Sequence, residues 1–518
     1  MGSRVLKLGT RRSALARAQS AAVALQLQRA HPGLQVELVG IETQGDRILD
    51  KPLSSVEGKE FFTAEIDAAL LAGQVDLTVH SYKDLSLERS TRLLLGAVPR
   101  REPPYDIVLF AVDVRERLAA GDELRIGSSS PRRASFVPDF LQRALPATVM
   151  PARVRLVELR GNVDSRLRRL HEPRGSARHL DGIVLAFAGL ARLWADSAGQ
   201  TLLRELLSPL PRMVLPLGPC PSAPAQGALA IECRRDDAQT AALLKSIDDP
   251  FTRRAVDAER SLLAQRGGGC HQRFGATQIE VPGLGALLYL RDADEAGHAL
   301  PVSPPRWTPE SALAAPLSPV KVWDGSRAKQ AEVEPIAGAI EQRRRQLEAS
   351  PALFVTHRRA LPQSAAGYIA PTTHVWVPGT ETWQGLAERG VWVEGCGEGL
   401  GFAALEPLLA QPLLQLPSLD RWTVLTHEEA AGSWPQGNVI ATYRHRNTGI
   451  LKDDGPPADA THVYWHSGAQ FDRWHAGLSA TLAHACGAGR TSEHLRRAGV
   501  QNLRVFPQVA LWRQWLGL

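Results

Sequence analysis

The sequence predicts an α/β fold arranged in several domains. A chain of 518 residues exceeds the size at which a single domain usually stops growing, and short apolar runs alternate with helical stretches along its first half. The hydrophobic share of 44% and the charged share of 22% are typical of a folded globular protein. We therefore expect a folded, multidomain α/β protein.

The individual elements follow from apolar periodicity and turn signals. Residues 4–9 form a short apolar run that predicts a strand, and the residues from Ala14 to about Leu27 predict a helix. A second helix is expected from Ala64 to Leu71. Further strands are predicted at Val36 to Ile41, Leu77 to Val79, Asp106 to Val112, Arg125 to Ile126 and Gly182 to Ala186.

Segments rich in proline and glycine predict the domain organisation. Residues 100–105 and 210–226 are candidate crossings between two domains. We predict a first domain over residues 1–100 that is completed by 214–240, a second over 101–213, a third over 241–347, and a module over 350–518. The charged run 342–346 in the third domain is expected to be a solvated helix face.

The last module carries short internal echoes that suggest two similar α/β lobes. Val355-Thr356-His357 is echoed by Leu425-Thr426-His427. A second echo repeats three residues at one constant interval, Thr382, Leu386 and Gly390 in one copy and Thr491, Leu495 and Gly499 in the other.

The charge balance of the chain indicates which kinds of ligand it is suited to bind. The net charge of +6 arises from 60 basic and 54 acidic residues, with a pI near 9.2, and this balance suits acidic small molecules. No basic block is interleaved with aromatic residues and no zinc-finger spacing occurs, so we expect neither nucleic acid nor a bound metal. Five cysteines without a CxxC pair favour a reducing cytoplasm. No signal peptide or membrane span is expected.

A polar segment, His80-Ser81-Tyr82-Lys83-Asp84, directly follows the apolar run Val75 to Val79. Side chains at such a junction of strand and loop often form sites in α/β folds. Asp84 is our candidate general acid or base. The alternative is that Asp84 merely caps the next turn.

Basic residues gather beside small residues, where backbone N–H groups can also reach a ligand. The two richest loops are Gly127 to Arg133 and Arg160 to Arg166. Because arginine binds carboxylates through paired hydrogen bonds, repeated arginine loops predict a ligand with several carboxylates, although a surface salt bridge is the alternative for any one of them. The basic residues in question are Arg11, Lys59, Lys83, Arg132, Arg133, Arg160, Arg166 and Arg192.

Cys270 follows three glycines, Gly267 to Gly269, in a segment where the thiol can project from a flexible loop. An exposed thiolate near positive charge is a good carbon nucleophile. A plain structural thiol is the alternative. Cys233 lies in an apolar run and is expected to be buried in a strand.

Taken together in order, these motifs resemble the porphobilinogen deaminase family. The resemblance extends over about 345 residues of the chain and is highly specific. It is carried by Thr10-Arg11-x-Ser13, Thr43-x-Gly45-Asp46, His80-Ser81-x-Lys83-Asp84, Gly127-x-Ser129-x-x-Arg132-Arg133, Arg160-Gly-Asn-Val-x-x-Arg166, Gln226-Gly-Ala and Gly268-Gly-Cys270.

The resemblance implies three α/β domains, the first two similar to type II periplasmic binding proteins. It implies a dipyrromethane cofactor held by Cys270 through a thioether, with Asp84 beside the pyrrole N–H groups. A monomeric enzyme would join four porphobilinogen molecules with loss of ammonia and release a linear tetrapyrrole by hydrolysis. The implied cofactor contacts are Lys83, Ser129, Arg132, Arg133, Arg160 and Gln226, and the implied substrate contacts are Arg11, Ser13, Lys59, Ser81, Arg166 and Arg192.

Three positions depart from the family pattern. Ser55 stands where lysine is common, Tyr82 replaces the usual methionine, and Pro131 lies within the arginine loop. All three bear on how the pyrrole chain is bound. The pair of Asp84 and Cys270 is intact.

The module over residues 350–518 resembles a shortened uroporphyrinogen III synthase. The similarity is carried by Phe354-Val-Thr356, Thr442-Tyr443-Arg444, Tyr464-Trp-His-Ser467 and Arg490-Thr491. It implies that Tyr443 assists departure of the substrate hydroxyl. The module is interpreted as a working cyclase, an inactive structural module, or a docking partner for a separate uroporphyrinogen III synthase. For the whole chain, a non-catalytic protein that binds anionic ligands is the alternative.

Overall fold

The computed structural model describes residues 5–43, 63–146, 151–208, 210–269, 272–314, 316, 318, 320–326, 333–435, 438–445, 455–479 and 481–518. Cys270, Lys59 and Ser55 lie outside the described residues. The chain divides into two compact units. The first comprises Met1–Gln142, Ala152–Ile279 and Leu288–Ser303, and the second comprises Arg143–Pro151, Glu280–Leu287 and Pro304–Leu518.

Ten strands named in chain order build two five-stranded sheets in the first unit. They are β1 (Val5–Arg11), β2 (Gln35–Ile41), β3 (Leu77–Ser81), β4 (Leu93–Ala97), β5 (Asp106–Phe110), β6 (Glu123–Gly127), β7 (Arg153–Val157), β8 (Gly182–Ala186), β9 (Arg212–Val214) and β10 (Leu229–Arg234). One sheet has the order β2-β1-β3-β10-β4 and the other has the order β7-β6-β8-β5-β9.

The two sheets share one pattern of strand directions. In each, the first three strands in the order are parallel, and the fourth, β10 or β5, runs antiparallel to both of its neighbours. The chain reaches the second sheet through β5 and returns to the first through β10. The loops after the parallel strands therefore leave each sheet at one edge, where ligands bind in α/β proteins.

Helices flank these sheets, and several begin at well-formed caps. Ser13 caps the first helix, and Asp249 caps the ninth, which has proline at its first position. The helices are α1 (Ala14–Ala30), α2 (Ala64–Leu71), α3 (Val114–Ala119), α4 (Pro131–Ala144), α5 (Val163–Arg168), α6 (Phe187–Ala195), α7 (Ser197–Leu207), α8 (Ala238–Leu244) and α9 (Pro250–Gln265).

The core of the first sheet is aliphatic. Leu6 and Leu8 of β1 pack with Leu77 of β3 and with Val23 and Leu27 of α1, all of them buried. Cys233 of β10 belongs to the same cluster, which confirms its expected place in a buried strand. Burial of these side chains stabilises the sheet against its helices.

The predicted elements agree with the structure in type, and most differ from it only at their ends. The strand Gly182 to Ala186 and the helix Ala64 to Leu71 are confirmed over their full length. The strand from Asp106 stops at Phe110, because the chain turns at Ala111, whose carbonyl oxygen accepts the N–H of Val114 at 3.1 Å. Pro131 occupies the first position of α4, where proline fits without strain.

A separate three-stranded sheet follows, formed by β11 (Gly275–Val281), β12 (Gly285–Arg291) and β13 (Arg306–Pro309). The charged helix predicted after it consists of two short helices, α10 (Ala339–Gln342) and α11 (Arg344–Glu348). The break lies at Arg343, whose N–H bonds to the carbonyl of Ile340 in a tighter turn. The charged face of this segment is exposed, as predicted.

Two further sheets belong to the second unit. Their strands are β14 (Val322–Trp323), β15 (Val333–Pro335), β16 (Ala352–Val355), β17 (His374–Val377), β18 (Gly395–Cys396), β19 (Trp422–His427), β20 (Asn438–His445), β21 (His462–Trp465), β22 (Ala483–Gly487) and β23 (Leu503–Phe506). One sheet has the order β14-β21-β22-β23 and is parallel throughout. The other has the order β15-β20-β19-β16-β17-β18, in which β15 alone is antiparallel.

The remaining helices of this unit each follow a parallel strand, and all but the last lead into the next strand. They are α12 (Thr380–Ala387), α13 (Phe402–Leu409), α14 (Glu428–Ala431), α15 (Gly468–Trp474), α16 (Arg490–Arg497) and α17 (Val509–Leu516). Among the described residues, no helix combines the length and the apolar character needed to cross a lipid bilayer.

Both sequence echoes correspond to structural features. Val355 and Leu425 are register partners on the neighbouring parallel strands β16 and β19. In the other echo, α12 and α16 each follow a parallel strand and end before a glycine with positive φ, 82° at Gly390 and 79° at Gly499. Glycine is favoured at this position because the left-handed conformation ends a helix without a Cβ clash. The relation of this module to uroporphyrinogen III synthase stays a prediction, as do the four predicted domain boundaries.

Candidate functional site

The segment after β3 forms a tight loop that is held in place by contacts with one arginine of α9. Tyr82 is buried, and the guanidinium of Arg260 stacks over its ring at 4.4 Å. The Nη1 atom of Arg260 donates to the carbonyl oxygens of Tyr82 and Leu85 at 3.1 Å, and its Nη2 atom donates to that of Ser86 at 2.9 Å. The loop is thereby fixed, with Asp84 exposed and Lys83 half-buried.

Asp84 acts electrostatically on two predicted basic residues, Lys83 and Arg166, and further predicted arginines act on the same two. Desolvation lowers the pKa of Lys83, and the charges of Arg133 and Arg132 lower it further, while Asp84 opposes the change. Desolvation also lowers the pKa of Arg166 to about 10, with Arg133 and Arg160 adding to the shift and Asp84 again opposing it. The structure therefore brings Lys83, Asp84 and four predicted arginines into one electrostatic neighbourhood with an excess of positive charge.

A buried carboxylate, Asp106, organises the arginine loop. Arg132 and Arg133 each place an Nη2 atom 2.7 Å from Asp106, and the Nε2 atom of Gln226 donates to it at 2.9 Å. Burial alone would raise the pKa of Asp106, but the two guanidinium groups overcome this and hold it well below its usual range. The three predicted cofactor contacts are thus also structural partners of one carboxylate.

Asp106 was missed from the sequence as a functional residue. It opens the apolar run of β5 directly after two prolines and Tyr105. A carboxylate that begins an otherwise fully buried strand is a usable signal, because a buried charge must find a partner.

The predicted hydroxyl residues are engaged within the protein. Ser13 accepts the N–H of Ala16 at 3.3 Å as the cap of α1. Ser81 accepts a hydrogen bond from Gln19 at 3.0 Å. Ser129 lies at the exposed edge of the arginine loop and donates to the carbonyl oxygen of Leu159. These contacts fix the loops that carry the basic residues.

Two other predicted residues have different surroundings. Arg192 is buried in α6 and donates to the carbonyl of Gly227 at 2.5 Å, and desolvation lowers its pKa to about 10. Arg11 ends β1, and its charge acts on the buried His80, whose pKa desolvation lowers to about 4. The charges acting on Arg192 come from Glu102 and Arg101 rather than from the neighbourhood of Asp84.

The glycine run before Cys270 passes close to the Asp84 loop. Gly267, Gly268 and Gly269 all have positive φ, at 83°, 72° and 95°. A Cβ atom on Gly268 would lie 2.8 Å from the Cδ1 atom of Leu87, three residues beyond Asp84. Glycine is therefore needed at Gly268 for its backbone conformation and for its close approach to this loop.

The site chemistry suits a ligand with several carboxylates. The Nη2 atom of Arg160 and the Nε atom of Arg132 are buried and have no hydrogen-bond partner among the described residues. Buried donors of this kind normally bind an acceptor. Since each pyrrole of a dipyrromethane carries an acetate and a propionate, the residues fit that group.

A second candidate site lies around Tyr443 on β20. The ring of Tyr443 is 5.7 Å from that of His427, 6.0 Å from that of His445 and 6.5 Å from that of His357. Burial raises the pKa of Tyr443 to about 12, although the charge of Arg359 opposes the change. The phenol is therefore neutral and remains a hydrogen-bond donor at physiological pH.

Glu429 stands beside this ring group. Its Oε2 atom lies 2.8 Å from Nδ1 of His427 and 3.2 Å from Nδ1 of His445. Burial would raise the pKa of Glu429, but the backbone N–H of His445 and the ring of His427 bring it to about 2. Glu429 is therefore charged.

In the first unit, Asp67, His80 and Glu232 are close enough together to hold a metal ion. Arg89 instead bridges the two carboxylates, with both Nη atoms 2.8 Å from Asp67 and with Nη2 2.5 Å from Glu232. The guanidinium already supplies the positive charge at this place.

The fold and site of the first unit define an α/β protein with two matching sheets and a cationic loop cluster, around one exposed carboxylate, that is suited to an anionic ligand. The family model described as porphobilinogen deaminase, dipyromethane cofactor binding domain, matches residues 6–242. The porphobilinogen deaminase of Acidothermus cellulolyticus is 40% identical over 280 residues, covering 53% of this chain and 75% of that protein. That of Sphingopyxis alaskensis is 43% identical over 310 residues, covering 57% and 88%.

The chain belongs to the porphobilinogen deaminase family, and its N-terminal half contains the domain that binds the dipyrromethane cofactor. Among solved structures, the methionine-binding protein MetQ superposes with a TM-score of 0.27 at 14% identity, covering 49% of this chain and 94% of that protein. A superposition at this level carries no weight.

Proposed function

We propose that the N-terminal part joins four porphobilinogen molecules head to tail, with release of ammonia, and then frees the linear tetrapyrrole by hydrolysis. Cys270 anchors the dipyrromethane through a thioether. The cofactor, when bound, supplies the terminal pyrrole carbon to which the first substrate is added. The observation that carries this proposal is the exposed carboxylate of Asp84, fixed on a clamped loop among Lys83, Arg133 and Arg166.

Asp84 acts on the substrate as it loses ammonia. Departure of the amine from porphobilinogen leaves an electron-poor, azafulvene-type cation. A fixed carboxylate stabilises this cation and accepts the proton that is lost when the new carbon–carbon bond forms. The Arg260 clamp holds the Asp84 loop in place, so little reorganisation is needed in the reaction.

The surrounding cations bind the acetate and propionate groups of the pyrroles. Arg166 lies within electrostatic reach of both the Asp84 carboxylate and Arg160, and Lys83, next to Asp84 in the chain, adds a further charge. Arg132 and Arg133 keep their orientation through Asp106, as preorganised carboxylate binders require. Arg11, Ser13, Ser81, Lys59 and Arg192 are proposed substrate contacts of the lengthening chain.

The intact mass of the purified chain tests the anchor. We expect the wild type to exceed its sequence mass by one dipyrromethane and Cys270→Ala to have its bare mass. Cys220→Ala is the matched control, because Cys220 is a buried free thiol whose pKa burial raises well above its usual value. Equal excess mass on wild type and Cys270→Ala would overturn the anchor.

For residues 350–518 we propose cyclisation of the linear product to uroporphyrinogen III. Tyr443 would donate its phenolic proton as the substrate hydroxyl departs. The support is the neutral, buried phenol that faces three histidine rings.

The isomer formed from porphobilinogen tests the cyclase. We expect the intact chain to form mainly the type III product. We expect the Tyr443→Phe variant to form the type I product. Type I product alone from the wild type would contradict cyclisation. In that case, a separate uroporphyrinogen III synthase would be added to the chain. Binding between the two proteins would favour the docking role instead.

We further propose that the protein acts in the cytoplasm as a monomeric deaminase. Free buried thiols such as Cys220 and Cys233 are typical of proteins in a reducing compartment. Sedimentation of the purified chain at micromolar concentration tests the monomer.

A further inference from the structure

Three side chains of the second unit converge at the ends of two neighbouring parallel strands. His427 ends β19, His445 ends β20, and Glu429 lies in α14, which directly follows β19. The pairing of the strands shifts between Thr426 and His427, where a bulge changes the direction in which side chains point. One nitrogen from each of the two histidines and one oxygen of Glu429 lie within 4.8 Å of one another.

The arrangement differs from an ordinary histidine–glutamate pair. At His374 a single ring nitrogen faces both oxygens of Glu394, at 3.0 and 2.9 Å. At Glu429 the same oxygen, Oε2, faces two ring nitrogens, at 2.8 Å from His427 and 3.2 Å from His445. The other oxygen, Oε1, accepts the backbone N–H of His445 at 3.0 Å, which orients the carboxylate.

These separations are close to those between ligands of one tetrahedral metal ion. Zinc binds nitrogen and oxygen at about 2.0 to 2.2 Å, so two of its ligands lie roughly 3.3 to 3.5 Å apart. The two separations from Oε2 of Glu429 therefore need to widen by only a few tenths of an ångström, and the two histidine nitrogens lie within 4.8 Å of each other. Two imidazoles and one carboxylate also match the ligand type that zinc prefers.

We propose that His427, Glu429 and His445 form a binding site for a divalent transition metal, with zinc as its natural ion. The three protein ligands leave a fourth position for water or for a ligand oxygen. The hydrogen bond from the His445 backbone to Oε1 of Glu429 serves as the outer contact that such sites need. The ion would lie beside Tyr443, whose ring neighbours both histidines.

Isothermal titration of the full chain with zinc chloride at pH 7.5, after removal of metals with a chelator, tests the site. We expect one tight site on the wild type. Outer contacts alone change metal affinity by about 10- to 100-fold, so loss of a direct ligand in Glu429→Gln or His445→Ala should weaken binding by at least about 100-fold. His374→Ala is the matched control and should bind as the wild type does, since its histidine–glutamate pair belongs to no group of three potential metal ligands among the described residues.

Two further measurements keep the test decisive. A Cys270→Ala chain should retain the site, which excludes the thiol as a ligand. Cobalt in place of zinc should give the strong visible absorption of a tetrahedral ion, lost in His427→Ala. Absence of a stoichiometric site on the wild type would overturn the proposal. Equal affinity in the wild type and in folded Glu429→Gln, checked by circular dichroism, would overturn it as well.

Discussion

The first unit buries charges in matched networks, whereas the second unit fills its interior with indole rings. In the first, Asp106 binds two arginines, Glu259 binds Arg101, and Arg89 bridges two carboxylates. In the second, five tryptophans are completely buried, namely Trp376, Trp383, Trp422, Trp465 and Trp512.

This difference explains why the sequence motifs of the first unit are more specific than those of the second. A buried ion network tolerates almost no change in its members, because removing one partner leaves an uncompensated charge. An aromatic core specifies volume and shape, so different apolar residues can fill it. Particular charged residues therefore mark the first unit, and only short echoes mark the second.

The largest expected effect is the loss of activity on substitution of Asp84 in the candidate site of the first unit. Asp84→Asn should lower porphobilinogen consumption by about 100- to 10,000-fold, because it removes the carboxylate that stabilises the cation and accepts the proton. Glu88→Gln, an exposed residue of the same loop, is the control and should keep full turnover. Full turnover by Asp84→Asn, measured with Ehrlich's reagent on cofactor-loaded protein, would contradict the role of Asp84.

The next effect tests the buried network directly. Asp106→Asn leaves Arg132 and Arg133 without their shared carboxylate, and we expect a loss of about 3 to 5 kcal/mol in the free energy of unfolding of the first unit. Denaturant unfolding, followed by circular dichroism, measures it. Asp236→Asn, whose side chain is 87% exposed beside Arg234, should cost less than about 1 kcal/mol. Similar losses for the two variants would show that the buried network is no more sensitive than an exposed ion pair.

A pH effect should follow from the buried His80. Burial lowers the pKa of His80 to about 4, so the folded state keeps the ring neutral while the unfolded chain takes up a proton near pH 6.5. Stability is therefore lost as the pH falls from about 6.5 to 4, approaching about 3 kcal/mol at pH 4. In His80→Gln this contribution should be absent from the difference in unfolding free energy between pH 7 and 4.5. An unchanged pH dependence would show that His80 is protonated in the fold.

The smallest expected effect concerns the hydrogen bonds of the buried indole groups in the second unit. The indole N–H of Trp465 donates to His484 at 3.0 Å, whereas that of Trp376 is buried with no hydrogen-bond partner among the described residues. Trp465→Phe should therefore destabilise the second unit by about 1 kcal/mol more than Trp376→Phe. Thermal unfolding of the two variants measures the difference. Equal losses would mean that ring volume alone governs this core.

Local elements could be predicted from the sequence because their signals are local. The apolar run of β8 and the helical pattern of α2 depend on neighbouring residues, and both are confirmed. The pairing of Arg132 and Arg133 with Asp106 joins residues more than 25 positions apart, which no spacing rule indicates. Likewise, the sequence indicates His427 only as part of an echo, because His445 is 18 positions away and reaches it through the pairing of β19 with β20 and a bulge.

Arg260 and the glycines before Cys270 belong to one continuous stretch of chain. Helix α9 carries Arg260, which holds three carbonyl groups of the Asp84 loop, and it ends directly before Gly267 to Gly269. The loop therefore has little positional freedom of its own. If α9 rotated or slid, the Asp84 loop and the start of the glycine run would move with it. The distance between them would therefore stay the same.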